Sequence, residues 1–175
     1  MRYLQAAGLL SLACLAAGQL AHADACIDFK WDVRQERALF AQKPVAASAG
    51  TDLKTAPALT PGHLYRLKLN PQAGVKFEAT PAKTAGADAF AGIAVLKVPK
   101  EGSYRVSLEI PMWIDVVANG ALLEAKDYQG QPNCNAPHKI VVFDLAPARS
   151  LVLQMSRASS DAVLLTLTPV PERVQ

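Results

Sequence analysis

Residues Glu101 to Lys126 read EGSYRVSLEIPMWIDVVANGALLEAK, and the fold is decided here. Tyr104, Val106, Leu108 and Ile110 recur at every second position, the period of a strand with one buried face. Beyond Pro111, Trp113 to Val117 begins a second apolar strand. Asn119-Gly120 then supplies the pair that best tolerates the positive φ values of a two-residue hairpin turn. Ala121, Leu122 and Leu123 form the returning strand, so this stretch is antiparallel sheet.

Working outward, the same rhythm extends in both directions. Cys26 to Val33 alternates Ile27, Phe29, Trp31 and Val33 against Asp28, Lys30 and Asp32, and reads as a first strand. Asp32 is placed to cap a short helix over Val33 to Gln42, with Leu39 and Phe40 as its buried side and Lys43-Pro44 as its stop. The segment Val45 to Pro61, rich in Ala, Ser, Thr and Pro, reads as an irregular crossing that wraps one edge. Strand signals resume at His63 to Leu69, at Val75 to Ala79 and at Phe90 to Val98. They return at Lys139 to Leu145, Leu151 to Met155 and Ala162 to Thr168, with 127–137 as a polar loop. About nine strands at short, hairpin-like spacing with turn residues between them are an all-β signature. The helical crossovers of a βαβ protein are missing. The expected fold is an antiparallel β-sandwich, jelly-roll-like, with one short N-terminal helix.

Residues 1–23 stand apart. Arg2 gives a positive start, Leu4 to Leu20 is mostly Ala and Leu, and Ala21-His22-Ala23 presents small residues where a signal peptidase reads. Gly8, Ser11, Gly18 and Gln19 interrupt the run too often for a spanning helix. Cys14 and Cys26 both lack the setting of a lipidated cysteine. Export to the periplasm or the outside is expected, with 24–175 as a single β-sandwich domain and no transmembrane segment after cleavage. A chain of that size buries roughly 68–70% of its extended surface, enough for a two-layer core. Losing Arg2 lowers the formal net charge from +3 to +2. The basic residues are scattered, which speaks against nucleic acid as a partner. Cleavage removes Cys14 and leaves Cys26 and Cys134, which an oxidising compartment would join in a disulfide bond worth roughly 4–5 kcal/mol by chain entropy.

No compact constellation of catalytic residues follows. His63 and His138 lie far apart, and HxH, HExxH and CxxC spacings are all missing, so no metal site and no cofactor are expected. His63-Leu64-Tyr65 likewise lacks the second histidine of a cupin metal site. No GxSxG nucleophile elbow occurs. Asp127, Asn133 and Asn135 lack the Asp-x-Asp pattern of a calcium loop. Asp115 sits inside the apolar WIDVV, and if it turns inward it needs donors or a counter-charge, for which Lys97 or Arg105 are at hand. Trp31 and Trp113 read as core residues, or as a stacking platform for a sugar if exposed. Tyr128, Asn133 and His138 sit in a polar loop on a sheet scaffold, the usual place for recognition. The candidate ligand-binding residues are therefore Asp115, Tyr128, Asn133 and His138.

Gly102, Tyr104, Ser107, Leu108 and Asp115 within Gly92 to Gly120 follow an apolar strand, a Pro/Gly turn, GxYxxSL and a strand carrying an aspartate. That segment resembles the middle of secreted pre-peptidase C-terminal-type β-sandwich modules. The resemblance implies a non-catalytic accessory fold of the kind attached to exported enzymes. The expected role is an exported binding or accessory protein of the cell envelope, with an envelope protein or carbohydrate as its partner. The alternatives are a carbohydrate- or small-molecule-binding protein, or a small periplasmic enzyme whose pocket assembles from distant strands.

Overall fold

The computed structural model describes residues 28–83, 86, 88–147 and 151–171. Their fold is mostly β, with 46% of residues in strands, one short helix and two sheets, one of them curled into a half-barrel. The first sheet runs in the order β1 (Val45–Ser48), β3 (Leu64–Lys68), β12 (Ala162–Pro169), β6 (Gly102–Leu108), β10 (Lys139–Leu145) and β9 (Asp127–Gly130). The second runs β2 (Ala58–Leu59), β5 (Phe90–Leu96), β11 (Leu151–Ala158), β7 (Trp113–Ala118) and β8 (Ala121–Leu123), with β4 (Asn70–Pro71) also paired to β5. Two pairings, β1 with β3 and β2 with β5, are parallel, so the sheets are not wholly antiparallel.

Alternation explains the core. Tyr104, Val106 and Leu108 of β6 meet Ile114 and Val116 of β7, Leu151, Leu153 and Met155 of β11, and Leu165 and Leu167 of β12 in one apolar cluster shared by both sheets. The expected Asn119-Gly120 turn joins β7 to β8, with φ of 53° and 79° and Ala118 opposite Ala121. The expected succession of hairpins is otherwise overturned. The chain passes from one sheet to the other between β5 and β6, β6 and β7, β10 and β11, and β11 and β12. A short Pro- or Gly-containing turn arches between layers as readily as it folds a strand back on itself, and period-2 alternation is the same in both cases.

Other expectations are corrected by what each backbone finds to bond. The loop foreseen at 127–137 contains β9, which pairs with β10. The irregular segment foreseen at 45–61 contributes an edge strand to each sheet and crosses between them at Ala49-Gly50. There Gly50 exchanges hydrogen bonds with Ile93, and a side chain at Gly50 would meet the Ala56 backbone at 2.6 Å. The strand foreseen at 75–79 is irregular chain over the outer face of the second sheet, where Val75 packs with Ile93, Val117 and Val152.

The foreseen first strand fails in a similar way. Cys26 and Ile27 lie outside the described residues. Phe29 and Val33 are buried as alternation predicts, against Ile140 on the outer face of the first sheet, but no ladder forms. Gln129 accepts the Lys30 N–H at 2.8 Å, and the Gln129 and Gln131 side-chain amides donate to the Asp28 carbonyl. The Lys30–Asp127 ion pair closes the junction, and the Lys30 ammonium holds the Asp127 carboxyl below its ordinary range.

The expected Cys26–Cys134 disulfide bond falls on Cys26, which lies outside the described residues. Among the described residues no pair of sulfur atoms lies within disulfide distance. Among the described residues, the glutamine bonds and the ion pair tie the N-terminal segment to β9.

The helix, α1 (Arg34–Phe40), is shorter than foreseen. Asp32 accepts the Arg34 N–H at 3.0 Å, while Val33 occupies the cap position with no side-chain bond. Glu36 and Leu39 are its buried residues, whereas Phe40 is half-buried. Glu36 is 0% exposed; one carboxylate oxygen accepts from Arg105 Nη1 at 3.2 Å and from the Thr168 hydroxyl at 2.7 Å. The other Arg105 partner is the Asp32 carbonyl, at 2.7 Å. Removing one member of a buried pair leaves the other charge stranded, at a cost of roughly 3–5 kcal/mol, whereas replacing both with apolar residues is often neutral. Glu36→Leu should therefore lower unfolding free energy in urea by roughly 3–5 kcal/mol, and Glu36→Leu/Arg105→Met should recover most of that loss. Equal losses in the single and double variants would show that the pair does not hold the helix down.

Candidate functional site

β7 alternates between two environments. Ile114 and Val116 face the shared core, while Trp113, Asp115 and Val117 face outward, toward the chain that crosses the second sheet. Asp115 is nevertheless only 7% exposed. Its two oxygens accept from Trp113 Nε1 at 2.9 Å and from the Ala82 N–H at 3.1 Å. On the neighbouring β11, Gln154 accepts from the Ala79 N–H and donates back to the Ala79 carbonyl, and Ser156 donates to the Lys83 carbonyl. These polar side chains hold residues 79–83 as a further strand would, one backbone group at a time. The counter-charges foreseen for Asp115 are elsewhere: Arg105 is under α1 and Lys97 is exposed.

Two cations gather on Trp113. Lys83 Nζ lies 4.6 Å and Lys139 Nζ 5.1 Å from the ring centroid, within the range of cation–π attraction. Lys139 starts β10 in the first sheet, yet its ammonium donates to the Met112 carbonyl at 2.9 Å, where the chain passes toward β7. Burial pushes the Lys139 ammonium below its usual range, with Lys83 adding to the shift and Asp115 opposing it. Beside the ring, Pro111, Met112, Trp113 and Arg157 line a recess of about 230 Å³. The result is a half-buried indole, its N–H fixed by a buried carboxylate, in a strongly cationic setting. Such an arrangement can attract and orient a negatively charged group. Both oxygens of its carboxylate are already engaged in structural bonds.

Of the residues singled out by sequence, Asp115 belongs to this cluster and His138 is the chain neighbour of Lys139. The imidazole itself turns away, with Nδ1 3.1 Å from the Cys134 carbonyl. Tyr128 is opposite Val141 on β9, the edge strand, and is 69% exposed. Asn133 is exposed in the following loop. Neither tryptophan is a core residue: both are half-buried and two cations lie over each ring, Lys30 and Arg105 in the case of Trp31. Lys83, Lys139 and Arg157 were not legible as a group, because three sequence-distant basic residues converge only when two sheets and a loop are assembled.

The half-buried Lys139 ammonium gives a signed expectation. Its charged form is disfavoured in the folded state, so it costs stability at neutral pH. That cost disappears as pH rises through the depressed pKa toward the ordinary 10.5. The unfolding free energy of the native chain relative to Lys139→Met should accordingly rise between neutral and alkaline pH, as measured by urea unfolding at a series of pH values. A flat difference would mean that Lys139 is fully solvated. Comparison of the chain with protein-family models, curated proteins and solved structures finds no match, so the reading of the site rests on its own geometry.

Proposed function

We propose that this chain is an exported binding or accessory protein of the cell envelope that acts without catalysis, on a jelly-roll-like β-sandwich scaffold. The observation that carries the proposal is the state of its buried ionisable groups. Asp115 is held by Trp113 and Ala82, and Glu36 by Arg105 and Thr168, so each is used to fasten a covering segment rather than to face a substrate. A general acid or base needs to reach the reacting atom. What remains accessible is a surface suited to recognition, with half-buried Trp113 and the basic residues Lys139 and Arg157 on strands, and Lys83 on the segment fastened over them. The signal-like residues 1–23 support export, and the accessory role is the one implied by the resemblance of Gly92 to Gly120. Among the described residues no helix is long and apolar enough to cross a membrane.

Thermal-shift screening of the purified chain against envelope glycans and peptides tests this reading. The expected outcome is a ligand that raises Tm, is recovered chemically unchanged, and loses its effect in Trp113→Ala or Arg157→Asn while keeping it in Tyr128→Ala/Asn133→Ala. Conversion of the ligand to product would overturn the non-catalytic assignment. Loss only in the Tyr128/Asn133 variant would move the binding surface to β9 and its loop.

A further inference from the structure

β11 does not run evenly along its neighbour. Its register with β5 shifts between Met155 and Ala158, and within this irregularity Arg157 takes a φ of 61°. Left-handed backbone is strained for a residue other than glycine and persists only where its surroundings enforce it. Here Gln72 helps to hold it, its side-chain oxygen accepting the Arg157 N–H at 2.9 Å. Bulges re-aim side chains and are common beside binding sites. This one puts Arg157 in the wall of the recess that Trp113, Pro111 and Met112 complete, next to Ser156, the cross-strand partner of Trp113.

Charge is unbalanced at this place. Lys83 and Lys139 lie over one indole and Arg157 shares its recess, while the carboxylate bonded to the ring, Asp115, already accepts a hydrogen bond at each oxygen. Among the described residues, neither Lys83 nor Arg157 takes part in an ion pair. The recess, about 230 Å³, is below the range of drug-sized sites and suits a small headgroup. A guanidinium presents a planar fork that matches the paired oxygens of a carboxylate or a phosphate.

We propose that the recess beside Trp113 binds a small oxyanion, the carboxylate or phosphate headgroup of an envelope ligand, with Arg157 as the fork, Trp113 as the wall and the two lysines as supporting charge. This inference rests on the binding function proposed above and names the chemistry of the ligand.

The test uses Trp31→Phe, which leaves Trp113 as the remaining one of the chain's two tryptophans. Its fluorescence is followed during titration with inorganic phosphate, and separately with acetate, at ionic strength held constant with chloride. A saturable change with either anion is expected. Arg157→Asn, which tolerates the left-handed backbone, should shift the midpoint by about tenfold or more, and the exposed Lys83→Met should weaken it less. A lower midpoint for acetate assigns the site to carboxylates and a lower one for phosphate to phosphate esters; either supports the proposal. Fluorescence that responds no differently from the chloride control, or a midpoint unmoved in Arg157→Asn, would overturn it. If both anions fail while a neutral envelope glycan still perturbs Trp113, the oxyanion assignment falls and the binding function stands.

Discussion

The carboxylate of Glu36, wholly buried between α1 and the first sheet, meets Arg105 and Thr168 on strands that face away from the shared core. That contact shows what the architecture requires. A two-layer β protein ordinarily leaves its outer faces to water, and polar residues alternate there at no cost. Here part of each outer face is roofed by chain, so the polar groups beneath the roof must find partners or destabilise the fold. The partners are largely backbone. Arg105 donates to the Asp32 carbonyl, Gln154 clasps both polar groups of Ala79, Asp115 takes the Ala82 N–H and Ser156 bonds the Lys83 carbonyl. Two irregular segments are thereby fixed without strand pairing of their own.

The candidate site follows from that arrangement. Asp115 fastens one roofing segment at Ala82, and the next residue is Lys83, whose ammonium is then delivered over Trp113. The same carboxylate holds the indole N–H, which fixes the ring in its plane. Lys139 arrives from the other sheet and Arg157 from a bulge in β11. Recognition would thus depend on residues that also hold the molecule together, with two of the three cations on strands and the third on a segment fastened to them.

Local patterns in the chain foretell local structure well and tertiary structure poorly. The alternation of Tyr104, Val106 and Leu108 and the Asn119-Gly120 turn are legible because each depends on neighbours within a few residues. Phe29 and Val33 alternate just as regularly and are buried as expected, yet their segment is no strand, since its amides are met by Gln129 and Gln131, about a hundred residues away. β1 and β2 escape notice because VAAS carries mostly small side chains, AL is only two residues long, and both pair only along sheet edges. At the site, Asp115 is conspicuous as a charge in an apolar run. Lys83, Lys139 and Arg157 have no such contrast with their surroundings, and nothing in their spacing links them.

The order of strands has a bearing on how the molecule is made. β11 and β12, the last strands along the chain among the described residues, occupy interior positions in the two sheets: β12 separates β3 from β6, and β11 separates β5 from β7. Everything upstream is consequently a set of edges waiting for their middle. A polypeptide emerging amino end first cannot complete the second sheet until Ala158 is out, nor the first until Pro169 is out, and closing such sequence-distant pairs is slow. Were the chain exported as proposed, delayed closure of this kind would keep it threadable through a narrow channel.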